Sequence, residues 1–168
     1  MDSIKTKIKD ISDIELYLKR IAYQICENNH EEDNNLIIVG VEKNGKILSN
    51  KIFEILKNIS DFNLTLMSLK INKKNPTNKI SSSIDEKKCF NKNIIIVDDV
   101  LNTGSTLIYA VKFFLKIPVK KIQTAVIINR NHKKFPVKAD FKGISLSTSI
   151  KEHVDIILEG SKQGIYLS

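Results

Sequence analysis

Asn93-Ile94-Ile95-Ile96-Val97-Asp98-Asp99-Val100-Leu101-Asn102-Thr103-Gly104-Ser105-Thr106 decides the reading of this chain. Ile94 to Val97 is an unbroken β-branched run, the pattern of a parallel strand covered on both faces. It ends in two carboxylates. Thr103-Gly104-Ser105-Thr106 then offers a glycine, three hydroxyls and the first free N–H groups of a helix, which together make an anion cradle. Acids beside a phosphate cradle suit a ligand that carries both phosphate and hydroxyls, or a shared metal.

Working outward from it, strands alternate with helices. Ser12 and Glu15 fit a capping box for a first helix ending near residue 27, with Ile14, Leu18, Ile21, Ala22 and Ile25 as its apolar stripe. Residues 30–35 read as an acidic loop. Residues 36–41 read as a buried strand, residues 42–45 as a tight loop, and residues 46–59 as a second helix. Residues 64–69 alternate like a half-buried strand. Residues 70–91 show little periodicity, and so long an irregular stretch in a compact domain suits a lid. After the central strand, a helix over 105–115 turns Leu107, Ala110, Val111, Phe114 and Leu115 inward. Residues 122–128 form another buried strand, and 137–141, 144–147, 154–158 and 164–167 are short strand candidates.

This alternation predicts an α/β fold, an open, mostly parallel sheet flanked by helices. Ligands of such sheets bind outside the C-terminal strand ends. Three loops meet that edge, at 42–45, 98–106 and 129–134. The 168 residues suit a single domain, with no internal repeat. No apolar run approaches the roughly 20 residues of a membrane span. The charged opening after Met1-Asp2-Ser3 argues against a signal peptide, and Cys26 and Cys89 read as reduced thiols of a cytoplasmic protein. The formal net charge is +8, and residues 101–142 alone carry nine Lys or Arg against Asp140. Such a field suits a phosphorylated substrate or nucleic acid, or is simply a solvated lysine-rich surface.

The segment from Ile95 to Thr106 resembles the phosphoribosyl pyrophosphate (PRPP) motif of type I phosphoribosyltransferases. Residues 20–25, Ile38-Val39-Gly40-Val41 with Gly45, and residues 129–141 with Gly143 are similar to one subgroup, the bifunctional pyrimidine operon attenuation regulator and uracil phosphoribosyltransferase. The resemblance implies a small hood, a flexible lid loop, and a homodimer or higher oligomer. It implies that Asp98 and Asp99 hold the ribose hydroxyls, directly or through water on Mg²⁺, with Asp99 the nearest candidate base. Leu101, Asn102, Thr103, Gly104, Ser105 and Thr106 complete the PRPP site. Glu42, Lys43, Asn44 and Gly45 form the pyrophosphate loop, and Ile128, Asn129 and Arg130 flank the base.

The chain departs from that pattern at several of these contacts. Ser68 stands where the hood strand usually leads into an arginine, leaving Lys70, Lys73 or Lys74 as point charges in its place. Asn129 replaces an acid. Lys19 and Tyr23 replace a Thr and a His that the regulator turns towards RNA, and Ile150 replaces an arginine. Tyr23 reads as a packing residue. Three functions are therefore carried forward: phosphoribosyl transfer to a nucleobase, most simply uracil; a nucleotide-responsive RNA-binding regulator; and a catalytically weak PRPP- or nucleotide-binding protein.

Overall fold

The computed structural model describes residues 5–30 and 34–168; the start of the chain and half of the expected acidic loop, residues 31–33, lie outside the described residues. In chain order the elements are β1 Thr6–Lys9, α1 Ile11–Asn29, β2 Asn35–Val41, α2 Asn44–Ile59, β3 Asn63–Lys70, β4 Ser81–Ser82, a 3-10 turn at Glu86–Cys89, β5 Asn93–Leu101, α3 Ser105–Phe114, β6 Lys121–Arg130, β7 Phe141–Leu146, β8 Val154–Ile157 and β9 Gly164–Leu167. The main sheet runs β4-β3-β2-β5-β6-β7, parallel except for the short β4. A second, antiparallel sheet of order β1-β9-β8 forms the hood.

Successive side chains of a strand point to opposite faces. Ile38, Ile95 and Val97 therefore pack under α1 and α2, while Ile37, Val39, Ile94 and Ile96 pack under α3. This two-sided burial is why β2 and β5 read as continuous apolar runs. Among the described residues no helix is long and apolar enough to cross a membrane. Cys26 and Cys89 are free thiols.

Several boundaries differ from expectation, each for a local reason. α1 starts two residues early because Asp10 caps it, its N–H donating to the Asp13 carboxylate at 3.0 Å. α2 begins at Asn44, so the expected loop at 42–45 is half helix. β5 continues through both acids to Leu101, because β6 keeps pairing with it there: Val100 faces Ile128 and Leu101 faces Asn129. Residues 70–91 are not structureless. Ser68 and Ser83 exchange hydrogen bonds that dock β4 onto β3, and Asp85 starts the 3-10 turn by accepting from Lys87 N–H. On α3, Leu107, Ala110 and Phe114 turn inward as expected and Phe113 joins them, in edge-to-face contact with Phe114, whereas Val111 is half-buried and Leu115 is 67% exposed beyond the helix end. Residues 137–140 form no strand. Thr124 instead donates through its hydroxyl to the Lys138 carbonyl and through its N–H to the Asp140 carboxylate.

Candidate functional site

The site gathers at the C-terminal ends of β2, β5 and β6. Asp98 and Asp99 are adjacent on β5 and so face opposite ways. Asp98 is 1% exposed, while Asp99 reaches an open cavity of about 500 Å³ that it shares with Glu42, Lys43, Asn44, Asn72, Lys73 and Lys74. Lys73 Nζ lies 3.1 Å from Asp98 Oδ1 and 3.6 Å from Asp99 Oδ1. Asn44 Nδ2 donates to Asp99 Oδ2 at 2.8 Å and to the Ile156 carbonyl at 3.0 Å, tying the acid to the hood. The Val100 N–H closes the set by donating to Asp99 Oδ1 at 2.8 Å.

The two acids differ electrostatically. Burial, then the neighbouring charge of Asp99, pushes the Asp98 carboxyl up to about 7 despite Lys73. Burial also opposes ionisation of Asp99, but Lys73, Asn44, Asp98 and the Val100 N–H outweigh it and hold that carboxyl below its ordinary value. Burial likewise works against the Lys73 ammonium, and the two acids outweigh it, raising its pKa.

A small hollow of about 50 Å³ follows β5, lined from Asp98 to Leu107. Gly104 caps α3 with φ +86°, a conformation that side chains with a Cβ rarely adopt. A Cβ there would meet Val137 Cγ1 at 2.6 Å. The Thr103 carbonyl accepts from Lys134 and Phe135 N–H, which fixes the loop from behind. The first turn of α3, at Ser105 and Thr106, opens on this hollow, so the Thr106 N–H and the hydroxyls of Thr103, Ser105 and Thr106 can meet an anion, while the Ser105 N–H donates to Thr103 Oγ1 at 3.3 Å.

Not every expected side chain reaches this edge. Leu101 and Ile128 are buried in the core, so only their backbones are available. Gly45 is also buried: a Cβ would sit 2.6 Å from the Val97 carbonyl, so the residue serves the crossing of α2 over β5. Arg130 is 4% exposed, and its guanidinium donates to Thr148 Oγ1 at 2.9 Å, to the Ser149 carbonyl at 3.1 Å and to the Glu152 carbonyl at 2.8 Å. In this arrangement it clamps residues 148–152. Asn129 lies beside Leu101 with its Oδ1 buried and unpartnered. Tyr23 does not pack as expected; it is 46% exposed on α1. Ile156 went unforeseen because its carbonyl carries no signature in sequence.

Magnesium takes oxygen donors and keeps several waters, so one or two carboxylates plus a substrate's phosphates make a sufficient protein contribution. Asp98 and Asp99 fit that need. No group of three or more metal-ligating side chains occurs among the described residues.

A phosphoribosyl transferase domain model matches residues 5–159. A Bifunctional protein PyrR of Fusobacterium nucleatum is 32% identical over 165 residues, covering 93% of each chain. Another, from Caldicellulosiruptor bescii, is 32% identical over 163 residues, covering 91% of this chain and 88% of the other. Among solved structures, a hypoxanthine-guanine phosphoribosyltransferase of Bacillus anthracis superposes with a TM-score of 0.72 at 18% identity, covering 90% of this chain and 85% of that one. A hypoxanthine phosphoribosyltransferase of Staphylococcus aureus gives 0.71 at 18% identity, covering 89% and 85%.

Proposed function

Since the chain belongs to the phosphoribosyl transferase domain family and is related to the bifunctional PyrR proteins, we propose that it transfers 5-phosphoribose from PRPP to uracil, giving UMP and pyrophosphate with Mg²⁺. Phosphoribosyl transfer is the chemistry of that family. The observation that carries the finer reading is the sequence of groups along one strand end: a buried acid, an acid open to a cavity, then a glycine-capped helix start.

In this reading Thr103, Gly104, Ser105 and Thr106, with backbone from Leu101 and Asn102, hold the 5′-phosphate. Asp98 and Asp99 hold the ribose hydroxyls. Glu42, Lys43, Asn44 and Gly45 receive the pyrophosphate through Lys43, Asn44 and backbone N–H groups. Ile128 and Asn129 flank the base by backbone and amide, and Arg130 supports them from behind. Lys73 replaces the absent hood arginine. It balances the acids in the ligand-free site and faces the pyrophosphate when PRPP arrives. The C1–O bond to pyrophosphate breaks as a C1–N bond to uracil forms, and Asp99 is the nearest acceptor for the uracil N–H proton. Mg²⁺ held by Asp98 and Asp99, directly or through water, would neutralise charge on the leaving group. Residues 71–80 exclude water from the ribose centre.

The test is pyrophosphate release from PRPP and Mg²⁺ with uracil, hypoxanthine, guanine, xanthine, adenine and orotate in separate reactions. Release with uracil alone is expected. Release with a purine alone would reassign the base, and none with any base would reduce the site to PRPP or nucleotide binding. One observation favours a second reading, RNA binding as a nucleotide-responsive regulator: Tyr23 is solvent-exposed on α1 together with Lys19. RNA affinity that falls steeply with salt, and further in Tyr23→Ala, would support it. A homodimer or higher oligomer belongs to the same proposal, and sedimentation equilibrium reads it directly.

A further inference from the structure

A second cleft lies behind the loop, on the outer face of α3. Its volume is about 340 Å³, and residues 76–80 form one wall. Tyr109, Lys112 and Phe113 of α3, with Lys116 in the turn just after it, form another, and Glu86 lines the cleft with Lys79. None of its lining residues lines the cavity at Asp99 or the hollow at Thr103 to Thr106.

The cleft sets three lysines, Lys79, Lys112 and Lys116, against one acid, Glu86. Lys112 on the last turn of α3 and Lys116 just past its end line the same cleft, so their like charges repel. Among the described residues, neither they nor Lys79 makes an ion pair. Lys112 and Lys116 each cross a ring instead: Lys112 Nζ lies 5.7 Å from the Tyr109 centroid and Lys116 Nζ 5.8 Å from that of Phe113. Those contacts order the aliphatic stems and leave the ammonium heads at the mouth. Tyr109 is half-buried and keeps part of its ring in reach. Three ammonium groups beside an accessible ring match a ligand with several phosphates and a flat base, and Glu86 can accept from a ribose hydroxyl or exocyclic amine. The volume lies within the roughly 300–1,000 Å³ usual for small-molecule sites.

We propose that this cleft is a nucleoside triphosphate site, separate from the transfer site, with the phosphates on Lys79, Lys112 and Lys116 and the base against Tyr109. The full chain carrying Ser105→Asp isolates it. An acid in the first turn of α3 repels phosphate from the cradle while favouring the helix. Calorimetry with ATP, GTP, CTP and UTP in turn should then show one equivalent of at least one triphosphate bound. Lys112→Gln plus Lys116→Gln should weaken that binding at least about tenfold, as expected when charge-assisted phosphate contacts are lost. The same lysine pair replaced in the otherwise unaltered chain should leave pyrophosphate release unchanged. No binding of any triphosphate at about 1 mM, or equal binding after lysine replacement, overturns the proposal. So does binding confined to single-stranded RNA, which would make the surface a nucleic-acid face. The readout is binding, so the outcome stands whether or not uracil is the transferred base.

Discussion

Asp98 and Asp99 are neighbours in sequence and opposites in state. Asp98 is buried with its carboxyl pushed up to about 7; Asp99 is held ionised by Lys73 and Asn44. Asp98→Asn plus Asp99→Asn should abolish PRPP-dependent pyrophosphate release while far-UV circular dichroism stays that of the parent. Full turnover in a folded double variant would remove both acids from the chemistry. Asp98 also carries a stability signature. Between about pH 4 and pH 7 the native carboxyl keeps a proton that the unfolded chain has lost, so the native state binds more protons and stability falls as pH rises. Asp98→Asn removes that penalty but also the partner of Lys73. Urea denaturation without ligand should therefore find it more stable than the parent by about 1–3 kcal/mol at pH 8, with the difference shrinking towards pH 4. Arg130 behaves in the contrary sense. Arg130→Met strips the donors from Thr148, Ser149 and Glu152 and should cost about 2–4 kcal/mol in urea denaturation. A change in PRPP affinity with unchanged stability would return Arg130 to the site. The place of the acids at a strand end was legible in sequence, since an acid pair before a glycine-capped helix is a local pattern. The partners of Arg130 were not, because they lie 18 to 22 residues away and are set by the path of the chain between β7 and β8.

At the level of the element, residues 71–80 do most to join the two halves of the site. Lys73 reaches back across the cavity to β5, and the loop has no other ion pair to the acids among the described residues. Lys73→Met should lower kcat/KM for PRPP by roughly a hundredfold, the usual scale for a lost charge-stabilising group. It should also speed amide hydrogen exchange over residues 71–80, because one tether of the loop is gone. Unchanged exchange and unchanged kcat/KM would make the contact incidental. The strands and helices of the main sheet were legible nearly throughout, because their burial follows local periodicity. β1 was not, because Thr6-Lys7-Ile8-Lys9 is a strand only through its pairing with β9. Likewise β4 is two residues long and exists through the Ser68–Ser83 hydrogen bonds.

Across the whole molecule, what sequence could not supply was the meeting of distant segments. Lys73, Asn44, Asp99 and Ile156 lie on four separate elements, and only the parallel order β3-β2-β5-β6 with the hood above brings them together. The pairing that completes the hood has a consequence of its own. Thr6 faces Leu167, so two positions 161 residues apart along the chain are immediate neighbours in space. The covalent order of the elements is then separable from their arrangement. A circular permutant that joins Ser168 to Lys5 through about four flexible residues, and opens at the exposed Asp61 between α2 and β3, should fold to the same structure and release pyrophosphate at the parent's rate. A permutant that folds but has lost turnover would mean that leaving β1 and β9 unjoined, or keeping α2 joined to β3, is part of how the hood holds Asn44 on Asp99.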